Sequence, residues 1–420
     1  MGNRRTKRSM NVNSVRALSH RIIGRDLLKV PHSKFLVTCS AFVALLALFI
    51  TLGLYSAKVF HKGLIMQGAD AAEHTVKPRL DVPIGVNMSG AEYSWGGFPT
   101  EKDLVYLRAN RITLIRLPIA WEKAQPVLGG ALDQSYIAGL KKFLSSAGAQ
   151  NMQVIVDLHN YGRYNPDWQE IVVGQHKDLG PGKGDLIGSP AVPIPVFAQF
   201  WKMLAQAIAG TPGLAYYDIM NEPHAMGSPD VWPSAAQAAV NAIRSVDSNT
   251  PILVEGDEWA SAYKWLRDNG NLHITDPANR LLYEAHLYFD DGSSNYSQSY
   301  KDEGAYPNIG VDRVKPFLDW LKQNNAKGFL GEFGVPDNDP QWLPVLDKFL
   351  TAIQEAGVPG TYWVYMYHLP SDPGWWWPTT NPLAIKIENG QNNRQLNILS
   401  EHNGPDPSTK PAPDQVHLAP

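Results

Sequence analysis

Two glutamates stand out in any search of this chain for chemistry. Glu222 lies in IMNEPH (219–224) and Glu332 in GEFG (331–334), about 110 residues apart, each at the end of a short apolar run. Two carboxyl groups facing each other across a site can cleave a glycosidic bond: one protonates the leaving oxygen while the other attacks the sugar carbon. Further polar residues sit at the ends of similar runs. Arg116 comes late in TLIRL (113–117), His159 and Asn160 follow VIVDL (154–158), and Asn221 precedes Glu222. His286 and Tyr288 follow from LLYEAHL (281–287), and Trp363 lies in TYWVY (361–365). In this chemistry Asn221 would hydrogen-bond a sugar 2-hydroxyl. Arg116 would hold Glu332 ionised by charge pairing, with Tyr288 donating to the same carboxylate. His159, Asn160 and His286 would position sugar hydroxyls, and Trp363 would give a pyranose ring a flat apolar floor.

Other readings of the same residues are possible. The glutamates could be structural ion-pair partners, the histidines core residues, and Tyr288 and Trp363 simple packing. A metal centre would need clustered ligands. The chain has no H-E-x-x-H helix and its histidines are scattered over separate runs, so neither a metal nor a cofactor is expected. Asp157, inside a strand candidate, reads as structural.

The elements that must position these residues alternate. Strand candidates are PIGVN (83–87), TLIRL, VIVDL, AYYDIM (215–220), PILVE (251–255), LLYEAHL, KGFLGE (327–332) and TYWVY. Between them lie helical patterns at Ser135–Ala147, Phe197–Ile208 and Val311–Asn324, and a helix start at Phe98-Pro99-Thr100. Near-continuous apolar strands mark a parallel sheet covered on both faces. Eight strand–helix units in about 320 residues predict an α/β fold, the (β/α)8 TIM barrel, with its chemistry at the carboxyl ends of the strands. The rival, an open doubly wound sheet, lacks the glycine-rich fingerprint after its first strand.

The 420 residues carry a formal charge of −3, which argues against a nucleic-acid binder. That figure hides an asymmetry. Residues 1–34 hold nine Lys/Arg against Asp26, a balance of +8, and the rest has 28 basic against 39 acidic residues, −11. One cysteine, Cys39, excludes an intramolecular disulfide framework and a multi-thiolate zinc site. Thirteen Trp and seventeen Tyr favour stacking on flat polar ligands.

Residues 35–55 are 21 positions without a charge, long enough as a helix to cross the roughly 30 Å hydrocarbon core of a bilayer. A cleaved signal peptide is the rival. Its apolar region is shorter, about 7–15 residues, and Tyr55 fits a cleavage site after Ala57 poorly. The expected layout is a basic cytoplasmic segment (1–34), a transmembrane anchor (35–55), a linker (56–80), the barrel (81–400) and a disordered proline-rich tail (401–420). The positive-inside rule makes this a single-pass inner-membrane protein with its barrel in the periplasm or outside the cell.

On IRLPI (115–119), DLHN (157–160), IMNEPH, EAHLYFD (284–290), GEFG and YW (362–363), the chain resembles glycoside hydrolase family 5, the cellulase family, from about Gly85 to Trp363. Its HN-Y and HLYFD details are most similar to the endo-β-1,4-glucanase branch. The resemblance implies Glu222 as acid/base and Glu332 as nucleophile of a retaining mechanism. It also implies Arg116, His159, Asn221, His286, Tyr288 and Trp363 around them. The substrate would be a β-linked polysaccharide, with β-mannanase, xyloglucanase and exopolysaccharide-cleaving activities as alternatives. A non-catalytic carbohydrate-binding barrel is disfavoured because both glutamates are present. The chain departs from secreted fungal members in lacking disulfides and a cellulose-binding module. Its anchor raises an alternative to foraging, trimming of a polysaccharide during export, with a synthesis or export complex as partner. Trp95, Trp121, Trp168, Trp259 and the run Trp375–Trp377 are expected either to line the groove or to pack.

Overall fold

A computed structural model describes residues 81–93, 96–165, 184–292, 294–367, 381–385, 387–388 and 391–404. The chain divides after Thr75, and all of these residues lie beyond that point. Eight strands form a closed parallel barrel. They are β1 (Ile84–Ser89), β2 (Leu114–Ile119), β3 (Gln153–Leu158), β4 (Leu214–Asp218), β5 (Ile252–Glu255), β6 (Leu281–His286), β7 (Gly328–Phe333) and β8 (Gly360–Met366), with β8 closing on β1. Each expected strand is present.

Helices α1 (Glu101–Ala109), α2 (Gln134–Ala149), α3 (Ile194–Ile208), α4 (Val231–Arg244), α5 (Ile309–Gln323), α6 (Leu343–Glu355) and α7 (Arg394–His402) accompany the strands. The three helical patterns read from the sequence become α2, α3 and α5, one to three residues longer or shifted at their ends. Local chemistry starts the first two. The Thr100 backbone N–H donates to Asp103 Oδ2 at 2.8 Å, and Asp133 Oδ1 accepts from the N–H groups of Ser135 and Tyr136, relieving donors that a helix start leaves unpaired. After β5 the chain makes just the short turn Trp265–Asp268.

Strand periodicity sorts the barrel interior into layers. Leu114, Ile155, Leu253 and Phe329, with Tyr216 and Leu282 against them, form a separate apolar cluster. Two residues further along the same six strands come Arg116, Asp157, Glu255, Gly331, Asp218 and Glu284. Side chains two apart on a strand share a face, so an apolar plug is followed one step up by a charged layer. Their odd-numbered or even-numbered neighbours, such as Ile115, Leu117, Val154 and Val156, face outward into the larger core with the helices.

Two differences from the sequence reading follow. Arg116 is not at a strand end: β2 runs on to Ile119, and the guanidinium is fully buried inside the barrel. The folded part continues past Ser400, because α7 reaches His402, whose ring bonds Gln354, and Asn403 bonds both backbone groups of Ile84 (3.0 and 2.8 Å). No helix among the described residues is long and apolar enough to cross a membrane. The 35–55 run, the 56–80 linker and the tail beyond Gly404 lie outside the described residues, as do Trp95, Trp168, Trp375–Trp377, Thr379, Thr380, Lys386, Asn389 and Gly390.

Candidate active site

The charged layer is organised by one cation. Arg116 Nε donates to Asp218 Oδ2 (2.8 Å), Nη1 to Asn87 Oδ1 (3.0 Å) and Glu332 Oε1 (3.1 Å), and Nη2 to Asn221 Oδ1 and Glu255 Oε1 (both 2.9 Å). Asp157 (3.1 Å) and Glu284 (3.3 Å) complete five carboxylates around it. So many buried acids around one guanidinium cannot all be charged cheaply. Burial, reinforced by Glu284 and offset by Arg116, pushes the Asp218 carboxyl well up. Burial likewise raises Glu284, to about 7, against the pull of Arg116.

Above this layer stand the two glutamates. Glu332 Oε1 takes the Arg116 bond and Oε2 accepts from the Tyr288 hydroxyl at 2.8 Å, so both oxygens are used as a carboxylate uses them. A shift in the β6–β7 register sets Glu332 opposite His286. Glu222 follows β4 in a left-handed backbone conformation (φ 43°) that side chains rarely adopt. Its Oε1 lies 2.8 Å from His286 Nδ1, and its N–H donates to Glu255 Oε2 at 2.6 Å. Burial raises the Glu222 carboxyl to about 6; the His286 hydrogen bond partly offsets this and Glu332 adds to it.

The histidines are tuned by the same acids. Burial favours neutral rings, but the nearby Glu255 and Glu332 carboxylates and the hydrogen bond to Glu222 push the His286 imidazole well up. Asp157, bonded to His159 Nδ1 at 2.8 Å, outweighs burial at His159 in the same way. Trp363 stacks on His159 with centroids 5.5 Å apart and planes at 7°.

Arg116, His159, Asn221, Glu222, His286, Tyr288, Glu332 and Trp363 are thus brought together. Asn160 is not aimed at the same work. Its amide nitrogen bonds both oxygens of Glu122 and its oxygen accepts from the Trp121 N–H, so its polar atoms serve to tie the end of β3 to the segment that follows β2. Trp121 is fully buried against Tyr164, Phe197 and Phe200, not in a groove. Trp259 is 48% exposed and stacks on His224 at 3.6 Å, while the His224 ring bonds the Glu222 carbonyl.

Asp218, Glu255 and Glu284 were not singled out by the sequence reading. Their signal was one acid at a matching step in each of YYD, LVE and LLYE. Asn221 holds a further clue: its Oδ1 serves Arg116, while the buried Nδ2 has no protein acceptor among the described residues.

Two trios could hold a metal ion by their ligand atoms, which lie within 4.8 Å of one another: Glu222, His286 and Glu332, and below them Glu255, Glu284 and His286. Arg116 contacts Glu332, Glu255 and Glu284, so a cation already occupies the electrostatic centre of both.

Comparison with known proteins fits this geometry. The family model "Cellulase (glycosyl hydrolase family 5)" matches residues 75–368. The chain belongs to glycoside hydrolase family 5. It is a glycoside hydrolase of the cellulase type. It is 31% identical over 267 residues to the probable endo-beta-1,4-glucanase B of Aspergillus kawachii, covering 61% of this chain and 72% of that one. The Pseudomonas stutzeri endoglucanase Cel5A in complex with cellobiose is 40% identical, with a TM-score of 0.67 over 77% of this chain and 93% of that one. The endo-beta-1,4-glucanase Xac0029 of Xanthomonas axonopodis pv. citri is 30% identical, with a TM-score of 0.65 over 77% of this chain and 98% of that one.

Proposed function

We propose that this family 5 hydrolase is a retaining endo-β-1,4-glucanase, held in the inner membrane by residues 35–55. The observation that carries the mechanism is spacing. A carboxylate oxygen of Glu222 and one of Glu332 lie within 4.8 Å of each other, with His286 between. That agrees with the roughly 5–5.5 Å between carboxyl groups of retaining enzymes and leaves no room for the water that inverting enzymes place there. Glu222, its carboxyl raised by burial, keeps a proton for the leaving oxygen. Glu332, steadied by Arg116 and Tyr288, attacks the anomeric carbon. Glu222, now a carboxylate beside cationic His286, then takes a proton from the water that releases the sugar. The unpartnered Asn221 Nδ2 would donate to the sugar 2-hydroxyl, and Trp363 would carry the ring. The β-1,4-glucan substrate is supported by the activity for which the similar fungal and bacterial proteins are named.

Proton NMR of fresh digests tests the stereochemistry. The β-anomer of the new reducing end should appear first; an initial α-anomer would overturn double displacement. The anchor is supported by the uncharged run at 35–55 flanked by +8. The full-length protein should stay with membranes through alkaline carbonate extraction. A mature protein beginning after residue 57 would contradict the anchor.

A further inference from the structure

Glu222 reaches its place through a backbone conformation that a glutamate resists, so something must hold it there. A non-glycine residue at φ 43° is strained and persists where its surroundings over-determine it. The restraint visible here is Glu255, the last residue of β5. Its Oε2 accepts the Glu222 N–H at 2.6 Å, a charge-assisted bond at the residue that carries the strain. Its Oε1 accepts from Arg116 Nη2 at 2.9 Å. The same oxygen stands 3.2 Å from His286 Nε2, an ion-pair distance without well-aligned hydrogen-bond geometry. His286 Nδ1, on the other side of the ring, holds Glu222 Oε1 at 2.8 Å. Glu255 therefore grips Glu222 twice, directly at the backbone and through the imidazole at the carboxyl group. It is fully buried and its own carbonyl is tied to Trp232 Nε1 at 2.7 Å, so the grip has a rigid base.

We propose that Glu255 is the positioning residue of the proton-donating step: it fixes the backbone and the carboxyl orientation of Glu222 and leaves the attack by Glu332 to other groups. This rests on the acid/base reading of Glu222. Glu332 is held by Tyr288 and by Arg116, which keeps Asn87, Asp157, Asp218 and Glu284 as partners when its bond to Glu255 is lost. Loss of Glu255 should thus damage proton delivery far more than nucleophilic attack.

The test compares two substrates in Glu255→Gln and Glu255→Asp. Gln keeps the shape without the charge; Asp keeps the charge on an arm one methylene shorter. On a cello-oligosaccharide, whose leaving group must be protonated, kcat/KM should fall about a hundredfold, since misplacing a catalytic group by roughly 1 Å costs that much. On the dinitrophenyl glycoside of cellobiose, whose leaving group needs no proton, kcat/KM should change less than about threefold. Glu222→Ala run alongside should show the same split. A core residue without this role would lower both substrates equally. A split in Glu222→Ala that is absent from both Glu255 variants overturns the proposal alone. No split in Glu222→Ala removes the acid/base reading, and the proposal with it. Failure of both Glu255 variants to fold also overturns it, because the residue would then be a core ion-pair partner first.

Discussion

Gly331 is the residue at which one methyl group should disturb the whole site. In β7 it occupies the step that other strands fill with Arg116, Asp157 or Glu284, and the Glu284 carboxylate lies across the vacant space. A Cβ built there would stand 1.8 Å from Glu284 Oε1 and 2.8 Å from both Glu284 Cδ and His286 Nε2, where ordinary contact begins at 3.4 Å. The backbone has no freedom to retreat, because the Gly331 carbonyl accepts from Asn87 Nδ2 (2.8 Å) and Thr361 Oγ1 (2.6 Å). Glu284 must therefore move away from Arg116, and His286 from Glu222. Overpacking costs about 1–3 kcal/mol, and loosening a buried ion pair adds towards the ~3–5 kcal/mol of breaking one. Gly331→Ala should lose about 2–5 kcal/mol in all. At roughly 2 °C per kcal/mol for a domain this large, Tm should drop by about 4–10 °C in differential scanning fluorimetry. Displacing His286 by even about 1 Å should lower kcat/KM on soluble glucan about a hundredfold at 25 °C, where the variant remains folded. A Tm within about 1 °C of the parent, with kcat/KM within about twofold, would refute the packing argument.

The remaining expectations concern the same mouth. Because Glu222 is raised to about 6 and must carry its proton in the free enzyme, kcat/KM on cello-oligosaccharides should fall as pH rises through about 6, roughly tenfold per unit beyond it. On the dinitrophenyl glycoside that alkaline limb should vanish, and an identical limb on both substrates would contradict the assignment. Tyr288→Phe removes one donor from Glu332, a hydrogen bond to a charged group worth about 1.5–3 kcal/mol, so kcat should fall about 10- to 100-fold. An unchanged kcat would show that Tyr288 merely packs. Trp259→Ala removes an exposed ring stacked on His224, so Tm should hold within about 1 °C while KM for polymeric glucan rises about fivefold. An unaffected KM would show that the glucan does not lie across this ring.

The barrel was legible because each strand announces itself as a short apolar run, and α2, α3 and α5 by their 3–4 spacing. Glu222, Glu332 and their companions were legible for a related reason: polar residues of the right chemistry end those runs in order. What the sequence hid depends on register and side-chain direction. Asp218, Glu255 and Glu284 each look like an isolated acid in an apolar strand, and they form a layer only when neighbouring strands are aligned as the barrel aligns them. Arg116 was read as a rim residue, but its place is the centre of that layer, which gives it five carboxylates rather than one. Trp121 and Trp259 both follow strands, yet one points into the α3 packing and the other into the open, and loop conformation decides that. Around Ser400, Leu396, Leu399 and His402 repeat at a helical spacing, too short a pattern to outweigh the prolines that follow.

The claim that Glu332 attacks the sugar while Glu222 handles the proton is tested most directly by trapping the glycosyl-enzyme. Incubation with the dinitrophenyl glycoside of a cellobiose fluorinated at the 2-position slows release of the sugar more than its attachment, so the covalent species should accumulate. Peptide mass spectrometry of the digested protein should then find one added fluorocellobiosyl group, on Glu332 in the GEFG peptide, and Glu332→Gln should take up none. Label on Glu222, or inactivation without any labelled peptide, would contradict the account.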